Sequence, residues 1–147
     1  MKDETKRAVE LSLAILVGLV FIIFGLSKLS NPPELAQNIR NYRWDFLPGW
    51  FTRFGAVVLP WWEIAAGVAI CYSSWRRPAC WIIGGMTALF AVAVISAIYR
   101  GLDIDCGCFG GGAKVGIKTL ALEIGILAAV GVILKCSRSV EKNSEEE

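Results

Sequence analysis

Four apolar runs, at about residues 9–29, 54–72, 79–99 and 116–134, constrain this chain more than any other feature. Each is close to the roughly 20 residues that cross about 30 Å of hydrocarbon at ~1.5 Å per residue. A chain of 147 residues has too little polar sequence left to cover four such runs in water. The composition agrees: it is 55% hydrophobic, above the roughly 45–50% of soluble domains, and its mean hydropathy is +0.54. The first run is longer than a signal-peptide core and is followed by no small-residue cleavage site, so it is read as a retained span. The expected fold is an all-α integral membrane protein, a four-transmembrane-helix bundle over residues 1–136. A polar tail over 137–147, ending in three glutamates, is expected to be disordered and cytoplasmic.

Orientation follows from lysine and arginine. One side carries Lys2, Lys6, Arg7, Arg76, Arg77, Lys135, Arg138 and Lys142; the other carries Lys28, Arg40, Arg43, Arg53, Arg100, Lys114 and Lys118. Eight against seven is nearly a tie, but the tight Arg76–Arg77 turn and the basic N-terminus place both termini in the cytoplasm. The expected location is the bacterial inner membrane, with the lipid bilayer as the first partner. The charges form no basic face, which argues against nucleic acid. Trp44, Trp50, Tyr72, Trp75, Trp81 and Tyr99 fall at run ends, as an interfacial belt does. Trp61 and Trp62 lie deeper and are read as bundle packing. Asn31-Pro32-Pro33 ends the first helix. Leu35, Ile39, Tyr42 and Phe46 then recur at helical spacing, which predicts a short amphipathic helix on the outer surface. Ala121, Gly125 and Ala129, with Gly84 and Ala88, are read as small-residue packing faces.

The chain has no histidine, which removes imidazole catalysis and His-ligated metals or haem. Five cysteines remain. Cys71, Cys80 and Cys136 fall at the cytoplasmic ends of spans, where free thiols behave as small hydrophobes. Cys106 and Cys108 sit in an outer loop, Asp105-Cys106-Gly107-Cys108-Phe109-Gly110, on the side that favours disulfides. One intervening residue brings both sulfurs within bonding reach and closes a very small, strained ring. Such an exposed disulfide exchanges readily. Gly107 supplies backbone freedom, and Gly110, Gly111 and Gly112 leave the loop free to meet a partner. Arg100 and Lys114 favour a thiolate, whereas Asp103 and Asp105 oppose it. An inert structural disulfide and a linear soft-metal site stay open as alternatives; no resident metal is expected.

Glu63 and Glu123 lie inside apolar runs, about two helical turns, or roughly 10 Å, beneath the outer surface. Intramembrane acids mark function by default. Two readings stand side by side: a proton relay beneath the cysteine loop, or an ion pair with Lys28 at the end of the first helix.

These residues resemble a known family. Phe24-Gly25-Leu26-Ser27-Lys28-Leu29 before a proline-bearing loop, Leu59-Pro60 with Glu63 and Gly67, and Arg100-Gly101 followed by Asp105-Cys106-Gly107-Cys108-Phe109-Gly110 look like the MauE/DoxX-like membrane proteins. The Cys-Gly-Cys-Phe-Gly segment is the specific part, and the likeness runs to about Leu134. The resemblance implies a protein that accompanies a periplasmic thioredoxin-like partner in maturing an exported substrate, the disulfide-rich small subunit of methylamine dehydrogenase. Three classes follow: a membrane thiol–disulfide oxidoreductase built on Cys106 and Cys108, with a quinone as a candidate acceptor; a soft-metal carrier; and a non-catalytic assembly subunit. Gly107, Asp105, Glu63, Glu123, Lys28 and Arg100 are the supporting residues.

Overall fold

A computed structural model describes the backbone of residues 2–105 and 114–145 and the side chains of 4–105 and 114–137. It contains five helices: α1 Lys2–Leu29, α2 Pro32–Asn41, α3 Gly49–Ala69, α4 Arg76–Tyr99 and α5 Ile117–Glu145. Three of the predicted runs, with their polar flanks, become helices long and apolar enough to cross a bilayer: Glu4–Leu29, Arg76–Tyr99 and Ile117–Ser137. The chain is therefore all-helical and of the multi-pass membrane type. The 54–72 run becomes α3, which has the length, 21 residues, and stands outside those three; Arg53, Pro60 and Glu63 interrupt its apolar sequence. The helix of α5 extends to Glu145, into the segment expected to be an unstructured tail.

The four long helices pack as a ring, α1 against α3 and α5, and α4 against α5 and α3, with α3 and α4 touching least. The main core gathers Ala14, Val17 and Phe21 of α1, Ala66 and Ile70 at the end of α3, Ile83 of α4 and Ile133 of α5. Outside it the surface is apolar: Leu16, Leu19, Ile23, Leu89, Val92 and Ile124 are all more than half exposed. A soluble protein would not present such a belt, whereas hydrocarbon solvates it.

Close approach is achieved by glycine, though not where the sequence suggested. A Cβ on Gly18 would lie 2.6 Å from the Gly67 carbonyl oxygen, and one on Gly67 2.7 Å from that of Gly18. A Cβ on Gly25 would meet the Pro60 carbonyl oxygen at 2.7 Å. The α1–α3 seam is thus the small-residue interface. The faces expected on α4 and α5 do not serve that way: Ala88, Ala121 and Gly125 are exposed, and a Cβ on Gly84 would make an ordinary 3.7 Å contact.

Two further expectations change. Trp61 and Trp62 are 59% and 56% exposed, so they face outward and do not pack the bundle. The amphipathic helix is shorter than its apolar spacing implied. Pro32 and Pro33 do end α1, but they also start α2 as its first-turn residues, where a missing N–H costs nothing. Arg43 then takes a left-handed φ of 49°, which ends the helix and leaves Phe46 77% exposed. Leu35 and Ala36 pack on Ala56 of α3.

Replacing Gly67 with alanine is expected to destabilise the protein by about 1–3 kcal/mol, because the added methyl meets backbone. Gly125→Ala, with nothing within 4 Å of the new carbon, is expected to be neutral or stabilising, since alanine favours helix. Thermal unfolding of both variants in detergent checks the opposite signs.

Candidate functional site

Three charged side chains expected from the sequence converge inside the bundle. Lys28, near the end of α1, donates a hydrogen bond to Glu63 Oε1 of α3. Both residues are only 7% exposed. Glu123 of α5, 5% exposed, lies within Coulomb range of both. One buried cation thus faces two buried carboxyls. They line a cavity of about 320 Å³ in the half of the bundle nearest α2. Its walls are aromatic and aliphatic, with Phe21 and Phe24 from α1, Phe51 from α3 and Phe90 from α4. Tyr42 and Trp44 close it from the α2–α3 connection.

The polar atoms on this cavity are incompletely paired. Tyr42 Oη, Glu63 Oε2 and Thr87 Oγ1 are buried without a hydrogen-bond partner among the described residues. All three residues line the same cavity. Burial, with the charge of Glu123 nearby, pushes the Tyr42 phenol up to about 12. It is therefore a neutral donor at physiological pH. Buried polar groups in folded proteins nearly always find a partner, so three orphans on one cavity need an explanation.

The same end of the bundle carries the connection between α4 and α5. Gly101 turns the chain with φ +64°. Val115 N–H donates to the Ile104 carbonyl at 2.9 Å, and Asp105 pairs with Lys114 as an antiparallel bridge. A short stem therefore closes on the segment between them. Cys106, Gly107 and Cys108 belong to that segment and lie outside the described residues. Arg100 caps the end of α4. Its guanidinium donates to the Tyr42 carbonyl at 2.9 Å and to the Arg43 carbonyl at 3.3 Å, tying the α4 end to the α2–α3 connection. Lys114 pairs with Asp103 at 2.9 Å, whose hydrogen bond and charge hold the ammonium above the usual lysine range.

A family model described as methylamine utilisation protein MauE matches residues 6–136. The chain belongs to the MauE family. It is 34% identical over 110 residues to the methylamine utilization protein MauE of Paracoccus denitrificans, covering 74% of this chain and 58% of that one. The MauE protein of Methylorubrum extorquens is 36% identical over 90 residues, 60% of this chain and 47% of its own length. That of Methylophilus methylotrophus is 31% identical over 96 residues, 65% and 50% respectively. The chain spans about half the length of the curated relatives it matches. No solved structure matches it.

Within this MauE chain, sequence reasoning missed three things. Thr87 and Tyr42 carried no signal as site residues, since a lone hydroxyl on an apolar helix and a tyrosine near an interface are ordinary. Glu10 was counted with no group at all, although it lies inside the first run. It accepts a hydrogen bond from Arg76 Nη1 at 2.9 Å, with both side chains buried. Arg76 also donates to the Ile70 carbonyl at 3.1 Å. The arginine read as an orientation signal is therefore a buried structural partner.

Glu63→Ala is expected to cost about 3–5 kcal/mol, because it strands Lys28 in an apolar interior. The double replacement Lys28→Met with Glu63→Leu is expected to recover most of that loss. Equilibrium unfolding of the wild type, single and double variants in mixed micelles measures the coupling.

Proposed function

We propose that this protein is a membrane thiol–disulfide redox component of methylamine utilisation, spanning the inner membrane four times with both termini in the cytoplasm. In this reading α3 is the fourth span. At ~1.5 Å per residue its 21 residues reach about 31 Å, the thickness of the hydrocarbon core. It also runs antiparallel beside α1 along the glycine seam, from Gly18 at Gly67 to Gly25 at Pro60. The α2 end then faces the periplasm, where a thioredoxin-like protein and its exported substrate meet the Cys106–Cys108 loop.

The observation that carries the reading is the stem. Asp105 and Lys114 are bridged, which brings together at the α2 end the two residues that flank the cysteine segment. That is the end where Lys28, Glu63 and Glu123 converge. A dithiol on such a stem serves exchange. A thiolate of the reduced partner attacks one sulfur of the Cys106–Cys108 disulfide and forms a mixed disulfide. The partner's second thiol then displaces it. The partner leaves oxidised, and two electrons and two protons remain on Cys106 and Cys108. The partner's new disulfide is passed on to the exported protein in maturation.

Topology is tested by single-cysteine labelling with a membrane-impermeant maleimide on intact cells. Asp45→Cys, between α2 and α3, is expected to react from outside, and Ser74→Cys, in the turn before α4, only after permeabilisation; the reverse pattern would end the four-span scheme. For the chemistry, removing the partner's second thiol is expected to accumulate a mixed disulfide between the partner and this protein, seen as a reducible adduct after acid trapping, and Cys106→Ala or Cys108→Ala alone is expected to prevent it, because no disulfide is left to attack. The double variant is expected to abolish maturation of the exported protein while the bundle stays folded. Maturation that continues in the double variant would sink the redox reading.

A further inference from the structure

We propose that the cavity between α3 and α4 is a binding site for a quinone, entered sideways from the bilayer. The three orphaned polar atoms point to a ligand with oxygen functions. Tyr42 offers a phenol donor, Thr87 a hydroxyl that donates or accepts, and Glu63 a free carboxyl oxygen. They come from the α2–α3 connection, α4 and α3, so they approach the cavity from different sides. A flat ring bearing two oxygens on opposite edges accepts from Tyr42 and Thr87, and its reduced form offers an O–H to Glu63 Oε2. An acyl chain pairs none and leaves each orphan at a cost of about 1–3 kcal/mol.

The walls fit the same class. Phe21, Phe24, Phe90 and Trp44 line the chamber, and aromatic faces suit a planar ring. A volume of about 320 Å³ is at the lower end of the ~300–1,000 Å³ of small-molecule sites. It suits a headgroup ring whose tail lies elsewhere. Phe51 of α3 and Leu89 of α4 line the cavity and are also 46% and 65% exposed. The chamber therefore reaches the outer face of the bundle where α3 and α4 touch least. An isoprenoid tail leaves through that gap into lipid.

The redox role of this ligand rests on the thiol–disulfide reading above. The quinone is the oxidant that restores the cysteine disulfide. Two S–H bonds break and one S–S bond forms. Two electrons pass to the ring and two protons to its oxygens, giving the quinol. Glu123, the carboxyl left over once Lys28 is paired with Glu63, is the group placed to hand on a proton.

The test separates binding from chemistry. Protein in nanodiscs is titrated with a photoactivatable azido-quinone, and the labelled peptides are mapped. Saturable labelling of α2–α3 and α4 peptides is expected in the wild type and equally in the Cys106→Ala, Cys108→Ala variant. Thr87→Val, which keeps shape and loses one hydrogen bond, is expected to weaken labelling about tenfold. Ala93→Phe, which fills the chamber, is expected to abolish it. Labelling that is indifferent to both changes, or matched by an azido acyl-chain probe, would make this a lipid-filled gap and overturn the site. Quinone binding that behaves as expected, but leaves reduced Cys106 and Cys108 unoxidised, would keep the site and remove the redox reading instead.

Discussion

Hydrocarbon does not tolerate an unpaired charge, and α1 meets that constraint at both of its ends. Glu10 pairs with Arg76 and Lys28 with Glu63. Eighteen residues separate the two α1 positions, five helical turns or about 27 Å. They therefore lie on one face, nearly a bilayer apart. Removing one partner of a buried pair costs about 3–5 kcal/mol, so neither pair is easily broken. Between them Gly18 and Gly25 bring the α3 backbone close. Charge fixes the register of α1 at two points, and glycine sets the spacing.

That register determines where the bundle is open. With α3 drawn onto α1 and α5 packed on α1 and α4, the space is left between α3 and α4 at the α2 end. The connection from α2 closes it from one side with Tyr42 and Trp44, whose rings lie 6.5 Å apart. Arg100 holds that connection by its carbonyls. The same arginine thus supports the cavity's roof.

The parts of this architecture legible in the sequence are those written in long stretches or strong chemistry. Apolar runs give helices because backbone groups in lipid are satisfied within the segment. Glu63 and Lys28 were visible because each is an ion beside or inside such a run. Glu10 was not, because it sits at the edge of its run, where an acid passes for a flanking charge; its meaning depends on Arg76, 66 residues away. The glycine seam escaped for a similar reason. Four-residue spacing marks Ala121, Gly125 and Ala129 as readily as it would a true interface, but Gly18 and Gly25 stand seven apart and acquire their role only from Gly67 and Pro60 opposite. Orphaned hydroxyls are invisible in one dimension, since being unpaired is a property of the whole packing.

The polar side chains within α3 have the same origin as the cavity. A helix that only faces lipid and core can be apolar throughout. A helix that also lines a chamber with hydrogen-bonding demands must carry groups such as Thr52 and Glu63. Pro60 adds a missing N–H and a carbonyl that Gly25 can approach. Trp61 and Trp62 keep its outer face amphipathic, with broad rings that remain at home against lipid. Each of these residues belongs to an interface or to the site. α3 and α4 each give the cavity more of its lining than any other element, and of the two it is α3 that also carries a buried carboxyl and a proline in its interior.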